Sequence, residues 1–232
     1  MKLSIGKNVL LIASLLLGII CAGVLPAYAA GGPAISYPTR GGSSNLGGYT
    51  FGWEFTTDTN VWITHLGMWD QGADGNQIAH DIGIWDLSSN LLVSGTLQTN
   101  DLSITSLGGD PTPGIAGGIY RYTDIPDYFL PAGTYRIGGY IGGNVAGGGS
   151  STPDGWHQAP IGMVVAPHIT LGNAYDNNLN TSLAFPYRDG GATPYAGPNF
   201  LFEIPEPSAF ALFVTGGGWF FLRRSTNRRS GR

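Results

Sequence analysis

The chain has 232 residues, with 38 glycines and 15 prolines but only 11% Asp, Glu, Lys and Arg. From Ala30 to Ile204 four arginines (Arg40, Arg121, Arg136, Arg188) face fourteen carboxylates, an excess of ten negative charges with histidine neutral. Such a surface repels nucleic acid and anionic lipid, and the absence of lysine from this stretch excludes phosphate-loop and Schiff-base chemistry.

The first 29 residues have the three parts of an export signal: Lys2 and Lys7, the apolar run from Val9 to Val24, then Pro26 and the small-residue pattern Ala27-Tyr28-Ala29. Cleavage is expected after Ala29 or Ala30, leaving a mature chain that starts near Gly31. The alternative is an uncleaved anchor, which Pro26 and the alanines disfavour. The one cysteine, Cys21, lies within the apolar run, so processing leaves no thiol for a disulfide, a metal or nucleophilic attack. Ile20 directly before Cys21 is too bulky for a lipoprotein signal.

Residues 30–203 read as one all-β domain. Short alternating runs predict strands at Tyr49 to Phe55, Val61 to Trp69, Ile78 to Trp85, Leu91 to Leu97, Gly118 to Thr123, Thr134 to Ile141, Met163 to Leu171 and Asn199 to Ile204. Turn-forming stretches separate them: Gly108 to Gly114, Gly147 to Gly155 and Gly190 to Asn199. Leu130-Pro131-Ala132-Gly133 predicts a tight turn leading into Tyr135-Arg136-Ile137 as an inside strand. Gly138 to Gly149 reads as a flexible connection. No segment sustains helical spacing, so the expected architecture is an antiparallel two-sheet sandwich, jelly-roll-like.

Within it Leu66-Gly67-Met68-Trp69-Asp70 is echoed sixteen residues later by Ile82-Gly83-Ile84-Trp85-Asp86. On strands of period two, the aliphatics share one face with the aspartate, and Gly-x-Trp takes the other, where a glycine lets a large ring lie over the neighbouring backbone. This pair of strands, with the Asp- and Gly-rich loop between them, resembles the DUF4082 family of exported bacterial proteins. The resemblance covers Ser43 to Ile141 by these motifs and extends to about Glu203 by strand pattern. It implies an extracellular β-sandwich and brings no activity with it.

The loop itself, Asp70-Gln71-Gly72-Ala73-Asp74-Gly75-Asn76, offers Asp70, Asp74 and Asn76 as oxygen ligands for a structural Ca²⁺, although the spacing is not that of an EF-hand and the same residues make ordinary turns. No other cofactor is expected. His65, His80, His157 and His168 lack His-x-x-x-His spacing, and no Gly-x-Ser-x-Gly elbow occurs. Fourteen carboxylates leave a secreted glycoside hydrolase open. Among the tryptophans Trp53, Trp62, Trp69 and Trp85 fit core positions on strands, whereas Trp156, placed in the loop from Pro153 to His157, is the candidate to contact a sugar ring.

Residues 204–232 form a second address. Pro205-Glu206-Pro207-Ser208 is followed by the apolar run Ala209 to Leu222 and then by Arg223, Arg224, Arg228, Arg229 and Arg232. Fourteen apolar residues make a helix of about 21 Å, short of the ~30 Å hydrocarbon core, and the arginines hold its far end cytoplasmic. This order resembles the PEP-CTERM sorting signal of Gram-negative bacteria, a Pro-Glu-Pro motif with a short transmembrane helix and a basic end. The resemblance implies recognition of Pro205, Glu206 and Pro207 by an exosortase, a membrane transpeptidase-like cysteine protease. The triple glycine Gly216 to Gly218 departs from the usual leucine and glycine alternation. The expectation is a non-enzymatic protein that passes through the export machinery and an inner-membrane intermediate to the outer envelope, cell surface or extracellular matrix. A carbohydrate-binding module for exopolysaccharide is the first alternative.

Overall fold

A computed structural model of the chain describes residues 28–36, 42–71, 75–99, 118–142, 151–158, 162–178 and 181–205. Residues 30–204 form one compact unit. Every regular element among the described residues is a strand: β1 (Tyr28–Pro33), β2 (Ile35–Ser36), β3 (Gly42–Leu46), β4 (Tyr49–Thr57), β5 (Val61–Gln71), β6 (His80–Asp86), β7 (Leu91–Leu97), β8 (Gly118–Leu130), β9 (Gly133–Ile141), β10 (Ser151–Gln158), β11 (Val164–Val165), β12 (Ile169–Asn178), β13 (Arg188–Gly191) and β14 (Pro198–Pro205). They build a six-stranded sheet in the order β13-β12-β4-β9-β6-β7, a four-stranded sheet β1-β14-β5-β8, and two small ribbons, β10-β3 and β11-β2. No helix among the described residues is long and apolar enough to cross a membrane.

Alternation explains how the two larger sheets meet. On β4 the residues Phe51, Trp53 and Phe55 are all buried and share one face. That face meets β14 of the other sheet: the Trp53 ring stacks on Phe200 with centroids 5.9 Å apart, and Phe55 lies 4.9 Å from the same ring. The Trp53 indole N–H donates to the Pro198 carbonyl at 3.0 Å, so its polar atom is satisfied inside the core. Burying an aromatic of this size contributes about 2–3 kcal/mol. β7 packs against β8 along one side of the stack, where a side chain at Gly95 would meet Ile125 and Thr123.

The opposite face of the six-stranded sheet is also covered. Gly52, Gly138 and Gly83 stand side by side on β4, β9 and β6, leaving a trough without side chains. Residues 183–186 lie across it as a strap: a Cβ on Gly138 would come within 2.9 Å of the Thr50 methyl, 3.2 Å of the Trp85 ring and 3.3 Å of Pro186. Ala184 N–H donates to Thr50 Oγ1 at 3.0 Å, and Arg136 Nη1 donates to the Pro186 carbonyl at 3.0 Å. The Arg136 guanidinium also pairs with Glu54 at 3.1 Å and sits 3.4 Å above the Tyr175 ring. At the far edge β13 is fully exposed, with Arg188 paired to Asp176, Asp189 accepting from the Gly191 N–H, and Gly191 at φ 96°.

Several expected boundaries move. β8 continues through Pro126 to Leu130, beyond the expected end at Thr123. It is the edge strand of its sheet, where a missing N–H is tolerated. The strand expected from Met163 to Leu171 is broken into β11 and β12, because His168 takes a left-handed φ of 69° after Pro167. Its ring nitrogen Nδ1 meets Asp58 Oδ1 at 2.8 Å, and its carbonyl accepts from the Asp58 N–H at 3.2 Å. Within Gly147 to Gly155, expected as a turn, Ser151 begins β10, which pairs with β3 across a register shift between Ser151 and Trp156. A bulge there accommodates Pro153 and Gly155. Gly138 to Ile141, expected to belong to a flexible connection, are ladder residues of β9. Gly108 to Gly114 lie outside the described residues.

Candidate functional site

The end of β5 is the most polar part of the interior. Asp70 follows Leu66 and Met68 on the inward face, as period two requires, and is fully buried. Its Oδ2 accepts from Arg121 Nε at 2.5 Å and from the Gly75 N–H at 3.0 Å. Arg121 stands opposite Met68 on β8, which turns its side chain to the same inward face, where it is 3% exposed. A buried carboxylate needs a partner of opposite charge, and here it has one. Asn76 is also fully buried, and its side-chain amide has no partner among the described residues.

This arrangement bears on the proposed cation ligands. Asp70 and Asn76 flank residues 72–74, and Asp74 lies outside the described residues. A Ca²⁺ at Asp70 would have to compete with the guanidinium already there, since a carboxylate neutralised by arginine attracts a cation weakly. Thermal unfolding in millimolar calcium is therefore expected to give a Tm within about 1 °C of that in chelator, whereas a site that binds the folded state would raise it by several degrees.

The second copy of the motif uses its aspartate differently. Asp86 ends β6 and caps the following turn, accepting from the backbone N–H of Ser88 and Asn90, each at 2.9 Å, and from the Asn90 side chain at 2.8 Å. The Asn90 side-chain bond, with the backbone bonds behind it, holds this carboxyl below its ordinary range. The tryptophans differ as well. The Trp85 ring lies over Gly83 and Gly138, as Gly-x-Trp implies, but the space above Gly67 is filled by Tyr122 from β8 rather than by Trp69. The Tyr122 hydroxyl accepts from Asn199 at 2.9 Å, and burial holds it un-ionised far above its usual range.

The other candidate residues fall in separate places. Trp156 stands on β10 opposite Ser44, on a strand and not in a loop. Most described carboxylates have structural partners: Glu54 with Arg136, Asp58 with His168, Asp81 with Thr96, Asp176 with Arg188, and Asp189 with Asn173. Three or more His, Cys, Asp or Glu side chains in metal-binding proximity do not occur among the described residues. Sequence reasoning does not reach Arg121, although one signal is present: a charge set directly between Tyr120 and Tyr122.

Three of the address residues lie on described strands. Ala29 and Ala30 lie on β1, Pro205 is the last residue of β14, and these two strands are neighbours. Ala27, Glu206, Pro207, Ser208, Arg223, Arg224, Arg228 and Arg229 lie outside the described residues. Beside the two strands Gly31, Gly32, Pro33, Ala166, Pro167, Phe202 and Ile204 line an apolar hollow of about 280 Å³. Comparison with known proteins finds no matching family, no matching curated protein and no matching solved structure.

Proposed function

We propose that this is an exported, non-enzymatic envelope or matrix protein: a jelly-roll-like β-sandwich delivered by a cleaved leader and sorted by its PEP-CTERM-like tail. The observation that carries the reading is the order of the last 28 residues, in which Pro205-Glu206-Pro207-Ser208, a short apolar run and an arginine cluster follow directly on the final strand. Pro205, where the motif starts, is the last residue of β14, so a membrane enzyme of exosortase type that cuts beyond it leaves the buried Phe200 and Phe202 in place.

Changing Pro205, Glu206 and Pro207 to alanine is expected to leave export intact and to trap the full-length chain in the inner membrane. Deleting residues 209–232 is expected to release the acidic domain into the periplasm. Fractionation with one antibody against the domain and another against the tail reads both results. A single full-length species in the surface fraction of the unaltered protein would mean that the tail is a permanent anchor.

A further inference from the structure

We propose that β7 is a self-association edge. Two copies of the chain pair β7 to β7, antiparallel about a twofold axis at Ser94, and their six-stranded sheets join into one continuous sheet.

The outer strands of the two larger sheets differ in what they offer a partner. β13 presents Arg188 and Asp189 within four exposed residues. β8 presents Asp124, Pro126 and Asp127, all exposed. β1 contains Pro33, which has no N–H to donate. Charge and proline on an outer strand are the usual protection against unwanted pairing. β7, at the end of the six-stranded sheet, has neither: Leu91-Leu92-Val93-Ser94-Gly95-Thr96-Leu97 is a seven-residue strand without a charge or a proline.

Among the described residues the ladder of β7 runs to β6 alone, from Leu97 opposite His80 to Leu91 opposite Trp85. In an antiparallel ladder alternate residues bond to one neighbour, and the others turn N–H and C=O to the opposite side. The inner face of the strand is occupied, since a Cβ on Gly95 would come within 2.9 Å of Ile125 and 3.3 Å of Thr123 on β8. Ser94 stands opposite Gly83 on the other face and is exposed, as is Thr96. The result is a backbone edge about 24 Å long that can accept one more strand.

Charge and length select a second copy as that strand. Residues 30–204 hold fourteen carboxylates and four arginines, so a cationic partner is drawn to the acidic surface and gains nothing at an uncharged edge. An identical strand matches β7 in length and brings no charge to desolvate. With the axis at the middle residue, each Leu91, 50% exposed, lies beside the Leu97 end of the other copy and is covered. Both copies use the same patch, so the contact closes at two. A single strand edge is small beside the area of a stable dimer, which makes the pair a weak one.

The test uses the full chain with Cys21→Ser, so that an introduced cysteine is the only thiol. Directly opposed residues of an antiparallel pair have Cα atoms about 4.5–5.5 Å apart, within reach of a disulfide. Mild oxidation in an exporting host is expected to cross-link Ser94→Cys into a dimer, Thr96→Cys several-fold less, and the 62% exposed Tyr187→Cys only at background. Sedimentation of the purified full chain in non-ionic detergent is expected to show a dimer whose Kd falls several-fold between about 50 and 300 mM salt, because salt screens the repulsion between two acidic domains. Ser94→Lys is expected to raise that Kd at least tenfold, and Tyr187→Lys to leave it unchanged. Cross-linking of Ser94→Cys no stronger than that of Tyr187→Cys overturns the proposal. So does a Kd that Ser94→Lys leaves unchanged, or one that rises with salt as an ion-paired contact would.

Discussion

Replacing Arg121 with methionine is expected to destabilise the domain by about 3–5 kcal/mol, because it strands Asp70 as a buried charge without a cation. The two groups are 3% and 0% exposed, so water cannot take over the role of the guanidinium. Changing Asp70 to alanine strands the arginine instead and is expected to cost a similar amount. Replacing both together should cost much less than the sum of the two, since an apolar pair of similar volume leaves no unpaired charge behind. Urea unfolding of the wild type, both single variants and the double variant measures the coupling. A loss below about 1 kcal/mol in either single variant would place the pair in solvent contact and remove the argument against a cation at Asp70.

Truncating Trp53 to alanine is expected to cost about 3–5 kcal/mol, the range for removing a large aromatic from a close-packed core. It removes the stack on Phe200 and the hydrogen bond to Pro198, which join the two larger sheets, together with the tilted contact with Phe55 at 5.5 Å within β4. Trp62 is the control. It pairs edge-on with Phe129 at 5.1 Å, and Phe129 is 41% exposed, so its truncation is expected to cost about 1 kcal/mol. Equilibrium unfolding followed by circular dichroism separates the two. Equal losses would mean that the sheets do not meet at Trp53.

Much of the strand content was readable from alternation alone. Leu91–Leu97 forms as expected, Tyr49 to Phe55 gains two residues, and β9 takes the predicted inside position between β4 and β6. Alternation is a local signal, however, and it does not say which strands pair. The two Gly-x-Trp-Asp copies illustrate the limit, since β5 and β6 enter different sheets and their aspartates find different partners. β1, β3, β10 and β13 are rich in Gly, Ser, Asn and Pro, so neighbouring strands and not their own pattern decide their conformation. Of the candidate site, the position of Asp70 on the inward face followed from period two. Its partner did not, because Arg121 lies fifty-one residues away in sequence.

The exposed edge at β13 has a consequence for life at high concentration. A bare strand edge on a domain so poor in charge invites copies to zip together through backbone hydrogen bonds. Here that edge is four residues long, carries Arg188 and Asp189, and ends in a left-handed glycine that turns the chain away. A second copy would have to desolvate both charges for the sake of a few hydrogen bonds. Copies crowded together can therefore avoid zipping into fibres through this edge.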